Sequence, residues 1–308
     1  MFHSNAIANR SHARYALITP VRDEEKYVGA MIDSILAQQV RPTKWIIVDD
    51  GSTDRTAVIV TSYARRFSFI EFIQLPARDQ RMAGGEAAVS TALRKVNLHE
   101  FDFLARFDGD LIFSPDYIGC ILEEFDRDPK LGIAGGGLYN EIGGALKLER
   151  DPDHHVRGAL KMYRRQCFEQ IGELTTGIGW DTIDEIYAWT KGWNTRSFYY
   201  YRVIHRRPTG GGIAAPRISW ELGKAEYLTW SDPLFVFAKT LKIAIGRLSV
   251  VRPVCFLAGF LYCYLHREPR VQDPAFIKAR RDQQRGRMLH FLTFIRGRRN
   301  GTVLRVRS

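Results

Sequence analysis

Apolar and polar residues fall into alternating blocks along the first half of the chain. Tyr15 to Val21, Lys44 to Val48, Ile70 to Gln74 and Phe103 to Phe107 are short apolar runs of the kind that buried strands require. Between them, Tyr27 to Gln38 sets Val28, Met31, Ile32, Ile35 and Leu36 on one helical face, and Arg55 to Phe67 and Gly85 to Val96 continue the helical spacing. Strand and helix in turn predict a parallel sheet with crossover helices. Tyr117 to Phe125 predicts one more helix and Leu131 to Gly135 one more strand. After Gly137 the rhythm changes to short elements and glycines, with a helix from Thr182 to Lys191 closed by Gly192; from Trp220 onward helical patterns dominate. Near the C-terminus Phe276, Ile277, Gln284, Met288, Phe291, Leu292 and Ile295 share a helix face, with Lys278, Arg281, Arg285 and Arg287 elsewhere on the helix. Such a stripe suits lipid or the rest of the fold equally well.

Two of the apolar runs end in acid. "KWIIVDDGSTD" closes on Asp49 and Asp50, and "FLARFDGDLIF" closes on Asp108 and Asp110, about sixty residues later. Carboxylates at the ends of parallel strands lie on the rim where open α/β sheets bind ligands. In extended backbone, residues i and i+2 share a face, so Asp108 and Asp110 can converge on one divalent cation. A cation held by so few protein groups keeps positions open for phosphate oxygens, which points to a nucleoside diphosphate.

Charge is placed unevenly. The chain of 308 residues carries a formal +11, and His266 to Ser308 holds 12 Lys and Arg against 3 Asp and Glu, which leaves only +2 for the rest. A basic tail suits nucleic acid, an anionic membrane surface or an acidic partner. Cys120, Cys167, Cys255 and Cys263 form no C-x-x-C pair and no zinc rhythm, the pattern of free thiols in a reducing compartment. The first residues hold Arg10 and Arg14 but no apolar signal core, so a cytoplasmic location is expected. Arg247 and Arg252 interrupt the long apolar stretch from Ile243 to Leu265, leaving an uncharged run too short for the ~20 residues of a membrane span.

The ordered combination of "PVRDEE" at Pro20 to Glu25, "VDDGSTD" at Val48 to Asp54, "DGD" at Asp108 to Asp110 and "GWDTIDEIYAWTKGW" at Gly179 to Trp193 resembles the family 2 inverting glycosyltransferases of the GT-A fold. The resemblance covers roughly residues 15 to 210. It implies a Rossmann-like, mostly parallel sheet flanked by helices, here with a helical, basic C-terminal extension. The expected organisation is a disordered N-terminus over 1–14, a glycosyltransferase domain over 15–230, and a helical, basic region over 231–308 that suits attachment to a membrane.

The resemblance also implies roles. Asp49 and Asp50 would accept hydrogen bonds from the base and ribose, and a carboxylate suits uracil N3–H and guanine N1–H alike. Pro20, Glu24 and Glu25 belong to the same nucleotide-binding rim, as does Arg81 beside Gly84 and Gly85. Asp23 stands where the family has Asn, so an amide donor is lost; it also suits a helix cap. Asp108 and Asp110 would hold Mg²⁺ or Mn²⁺ against the diphosphate, with His205 as a third ligand and Asp108 also near the nucleotide. The base would be Asp181, eleven residues before Gly192, with Trp180 in place of the family's Glu and Asp184 as the alternative. A helix cap is an equally simple role for Asp181. His154 and His155 suit either an acceptor pocket or a solvated loop.

Together these imply transfer of one sugar from a UDP- or GDP-sugar to a lipid-linked or cell-surface glycan, by a protein working in the cytoplasm at the inner face of the membrane. The Gln-x-x-Arg-Trp motif of processive synthases is missing. A nucleic-acid-binding protein is the alternative from another class, but the acidic rim would repel phosphate unless a metal intervenes and no nucleic-acid motif is present, so nucleic acid is not an expected partner. A catalytically silent nucleotide-sugar-binding relative also stays open, because Trp180 and Asp23 touch working motifs.

Overall fold

The structure is a computed structural model that describes residues 13–77, 86–142, 144–172, 179–207, 215–247 and 250–299. The chain divides into two compact units, Met1–Gly211 and Gly212–Ser308.

The first unit opens with β1 (Tyr15–Val21), α1 (Val28–Leu36), β2 (Lys44–Asp49), α2 (Thr56–Ala64), β3 (Ile70–Gln74), α3 (Glu86–Leu93) and β4 (Phe103–Phe107). These are the alternating elements that the apolar blocks predict. It continues with β5 (Leu111–Phe113), α4 (Tyr117–Arg127), β6 (Leu131–Ile142), β7 (Ala145–Leu148), β8 (Leu160–Arg164), α5 (Arg165–Ile171), α6 (Trp180–Thr190) and β9 (Asn194–His205). The sheet runs β3-β2-β1-β4-β8-β6-β9-β5, with β7 paired to β6. β1 to β4, β6 and β9 share one direction, and β5, β7 and β8 oppose them, so the sheet is mostly parallel.

Both faces of the central strands are covered, which is why their sequences read as unbroken apolar runs. Tyr15, Leu17, Trp45 and Ile47 pack on one side with Met31 and Ile35 of α1. Ala16, Ile18, Ile46 and Val48 pack on the other with Ala88 and Ala92 of α3. The side-chain period of two sends neighbours along each strand to opposite layers. The parallel strands therefore end together, and their acidic ends meet on one rim.

The second unit is helical, with α7 (Ala215–Leu228), α8 (Pro233–Arg247), α9 (Val251–Leu265) and α10 (Pro274–Arg299). α7 and α9 touch backbone to backbone: a Cβ on Gly223 would collide with the Phe256 carbonyl, and one on Gly259 with that of Trp220. In α10 the apolar stripe is partly an inward face. Phe276 and Gln284 are fully buried, Gln284 Oε1 accepts the Asp232 N–H at 2.8 Å, and Arg280 Nη2 reaches Glu226 Oε2 at 2.9 Å. For those residues the packing alternative describes the stripe.

Glu226 is a buried carboxylate shared by Lys239, Arg280 and Ser231. Burial alone would raise it, but the two cations and the hydrogen bonds from Lys239 and Ser231 outweigh that and lower it to about 2. A carboxyl whose folded value is depressed contributes stability above its unfolded value, here 4.5, and loses it as pH falls toward 2. Glu226→Gln is therefore expected to cost about 3 kcal/mol at neutral pH. The gap to the parent should narrow between pH 4.5 and 2 in denaturation followed by circular dichroism. A gap independent of pH contradicts the ion-pair account.

Candidate active site

The ends of β1 and β2 form one wall. Pro20 pairs with Val48 and Val21 with Asp49 across the parallel ladder. Asp49 is fully buried, and its Oδ1 accepts both the Ser52 N–H, at 2.8 Å, and the Ser52 hydroxyl. The turn depends on Gly51, whose φ is +77° and whose position has no room for a Cβ against Pro76 and Ala77. Asp49 thus shapes the turn, while Asp50, also buried, has Oδ2 4.0 Å from Arg22 Nη1.

The loop after β1 is tied to this turn. Asp23 has φ +53° and its Oδ1 accepts the Thr53 N–H at 2.8 Å. Because α1 begins only at Val28, Asp23 joins the two loops and caps no helix. Glu25 Oε2 accepts the Arg55 N–H at 3.1 Å, and Asp54 accepts the Glu25 N–H. Burial would raise the Asp54 carboxyl, but hydrogen bonds from Thr56 and Glu25 bring it below its ordinary value. Glu24 is buried and pairs with Arg207, a partner 183 residues away in sequence. Arg81, Gly84 and Gly85 lie outside the described residues.

Asp108, Gly109 and Asp110 fill the three-residue step between β4 and β5. A side chain at Gly109 would run into Val21, so the step lies directly against the end of β1. β5 pairs antiparallel with β9, Leu111 opposite His205, and this register brings the end of β9 to the acids. His205 Nε2 lies 3.3 Å from Asp110 Oδ2, and Arg207 Nε lies 3.5 Å from the same oxygen. Burial would lower the His205 imidazole, but the hydrogen bond and charge of Asp110, with Asp108 and Glu149, together raise it. Asp110 is itself buried, and its Oδ1 has no hydrogen-bond partner among the described residues.

A buried, unpartnered carboxylate oxygen is costly unless a ligand completes it. Among the described residues no three His, Cys, Asp or Glu side chains converge on a metal position. The donors nevertheless fit a divalent cation whose other ligands come from a diphosphate: one buried carboxylate oxygen, a neighbouring imidazole and the half-exposed Asp108.

Asp108 is bound from behind. Arg106 lies two residues earlier, on the same face of the strand, and its Nη2 is 3.0 Å from Asp108 Oδ1. Arg106 also donates to the Gly158 carbonyl and lies 4.6 Å from the centroid of the Trp180 ring. Lys161, opposite Arg106 in the β4–β8 ladder, approaches the same ring at 5.6 Å. Two cations facing each other across strands repel; here the ring face and separate acids divide them. A Cβ on Gly158 would sit 2.7 Å from Trp180, so the indole fits only because that position is glycine. Trp180 thus holds the start of α6 against β4, and Asp181 follows it in the first turn of α6, half-buried.

Asp184 is placed differently. It is 3% exposed, with Lys161 Nζ 2.7 and 2.9 Å from its two oxygens and the Tyr163 hydroxyl donating at 2.6 Å. Glu185 pairs with Lys161 at 3.2 Å and with His155 Nδ1 at 2.9 Å. Burial raises the Asp184 carboxyl despite Lys161, whereas for Glu185 the opposing Lys161 and His155 charges prevail over burial and lower it. These acids form a core cluster closed to an acceptor, so Asp184 does not stand in for Asp181. His155 belongs to this cluster and His154 lies edge-on to Trp189, so the pair forms no solvated loop. Lys161→Met should leave the buried Asp184 without a cation and Glu185 with His155 alone, and destabilise the first unit by about 3–5 kcal/mol, read as a lowered melting temperature. An unchanged melting temperature contradicts the cluster's structural role.

The sequence matches the family model for glycosyl transferase family 2 over residues 16–178, just over half of the chain, and the chain belongs to that family. It is 31% identical over 175 residues to a dodecaprenyl-phosphate galacturonate synthase of Rhizobium johnstonii, a match covering 51% of this chain and 49% of that protein. It is 22% identical over 273 residues to a poly-beta-1,6-N-acetyl-D-glucosamine synthase of Staphylococcus epidermidis, covering 79% of this chain and 62% of the relative. The chain thus spans about half to three-fifths of these relatives. Among solved structures it is similar to a mannosyltransferase of Pyrobaculum calidifontis in complex with GDP-Man and Mn²⁺, with a TM-score of 0.52, 16% identity, and coverage of 86% of this chain and 78% of that one. At that identity the likeness concerns the fold, and it is the GT-A arrangement expected from the motifs.

Proposed function

We propose that the chain is an inverting transferase that moves one sugar from a UDP- or GDP-sugar to a hydroxyl of a lipid-linked or cell-surface glycan, at the cytoplasmic face of a membrane. The observation that carries this reading is the buried Asp110, its Oδ1 without a hydrogen-bond partner among the described residues and its Oδ2 beside His205, at the rim where β1, β2 and β4 end in a family 2 chain. Asp110, Asp108 and His205 would hold Mg²⁺ or Mn²⁺, which when bound neutralises charge on the departing diphosphate. Asp50 and Glu24 line the nucleotide side, with Arg22 and Arg207 as cations beside them.

Asp181 takes the proton of the acceptor hydroxyl as that oxygen attacks the anomeric carbon. The new C–O bond forms on the face opposite the leaving group, the bond from that carbon to the diphosphate oxygen breaks, and the nucleoside diphosphate leaves with the electron pair. An alcohol is far too weak an acid for a carboxylate to ionise it beforehand, so proton transfer accompanies bond formation and position matters more than basicity. The names of the two curated relatives, one acting on a polyprenyl phosphate and one building a polysaccharide, support the acceptor class.

The test is turnover. The full chain is incubated with labelled UDP- and GDP-sugars, Mn²⁺ and a bacterial membrane lipid extract, and nucleoside diphosphate release is followed with label in the lipid fraction. Release that depends on Asp110 is expected. No release from any donor of either nucleotide would overturn the reading.

A further inference from the structure

The second unit presents apolar side chains that its own packing leaves uncovered. On α8, Leu234, Phe237, Leu241 and Ile245 recur every three or four residues and so share one face, and each is more than half exposed. The opposite side of α8 supplies the buried Phe235 and Val236. α9, which packs beside α8, divides in the same way. Phe256, Gly259 and Cys263 are buried, while Val254 and Leu265 stand 58% and 77% exposed. Soluble proteins rarely leave a contiguous row of large apolar side chains exposed without a partner.

The charges on the same helices identify the partner. From Pro233 to Arg267 the chain holds Lys242, Arg247, Arg252 and Arg267, besides Lys239, which Glu226 already holds, and not one Asp or Glu. Lys242 adjoins the α8 stripe and is exposed, as is Arg267 beyond the end of α9. A second copy of the chain would bring the same cations face to face across a two-fold axis. Anionic lipid head groups would neutralise them while the stripe enters the acyl boundary. Neither helix can cross: each has 15 residues, about 22 Å against the ~30 Å of a hydrocarbon core. No helix among the described residues is long and apolar enough for a span.

We infer that the outward faces of α8 and α9 are a contact surface for an anionic lipid bilayer, with the two helices lying in its interface. This adds the contact surface to the peripheral location proposed above and rests on that reading, yet its test needs no sugar transfer. It differs from a contact through the first half of α10, where Phe276, Arg280 and Gln284 are committed to packing.

The test is flotation of the full chain with vesicles of phosphatidylcholine alone or mixed with phosphatidylglycerol. The parent chain should float with the anionic vesicles, less so as salt is raised, and poorly with the neutral ones. Phe237→Glu combined with Ile245→Glu, both highly exposed, should reduce flotation about tenfold or more with the melting temperature unchanged. Lys242→Glu should weaken binding at low salt. Equal flotation of the parent and the double variant would overturn the assignment, as would the absence of flotation with either vesicle. A dimer of the parent by light scattering that the double variant dissociates would instead give the face to a second copy. Loss of turnover with flotation intact counts against the transferase reading alone.

Discussion

Asp181→Asn is expected to lower kcat by about two orders of magnitude or more while leaving the KM for the donor within a few-fold, the pattern of a group that acts only as the acceptor proton moves. The expectation rests on place. Asp181 stands in the first turn of α6, fixed there by Trp180 stacked on Arg106 and by Lys161, which donates to the Asp181 carbonyl. Asn keeps the size and cap potential of the side chain, so a structural role alone predicts little change. Asp184→Asn should differ in kind. It disturbs the buried contacts with Lys161 and Tyr163 and is expected to lower the melting temperature. If Asp184→Asn gives the kcat loss at unchanged stability and Asp181→Asn does not, the assignment of the base is wrong.

Asp110→Ala carries the second large effect. The substitution removes a buried carboxylate that faces His205 and Arg207, and transfer should fall below about one hundredth of the parent value. Stability should change less than in Lys161→Met, because Asp110 serves an open rim where Arg207 keeps Glu24 as a partner. Asp108→Ala should be milder for binding and should also disturb Arg106, which loses its ion pair beneath Trp180. Measuring kcat/KM and melting temperature on the same preparations separates these outcomes. An Asp110→Ala chain that retains metal-dependent turnover would remove this residue from the site.

How much of this was legible in the sequence depended on what each segment meets. β1 and β4 have the predicted bounds because strands buried on both faces are chiefly apolar, and the half-exposed edge strand β3 keeps its bounds through Ile70, Phe72 and Ile73. β8 was not legible: "LKMYR" carries Lys161 and Arg164, whose burial is made acceptable by Asp184, Glu185 and the carbonyls of Phe125 and Leu131, all distant in sequence. β9, at 12 residues, mixes arginines and tyrosines that bond on the two sides of a half-covered strand, and β5 has only three residues to signal itself. The acids at the strand ends were legible because turns and metal ligands both select Asp there. Their division of labour was not. Asp49 is committed to Ser52 within its own turn, whereas Asp184 goes to Lys161 and Glu24 to Arg207, partners set by tertiary geometry. Arg106 alone left a local sign, a charge inside an apolar strand and two residues before Asp108.

The most direct test of the account is calorimetric titration of UDP and GDP into the parent chain and Asp110→Ala, each with Mn²⁺ and with chelator. The parent should bind at least one nucleotide with an affinity that falls steeply in chelator, and Asp110→Ala should bind with or without Mn²⁺ only as weakly as the parent does in chelator. Metal-independent binding of equal strength by both chains, or no binding of either nucleotide by the parent, would contradict it.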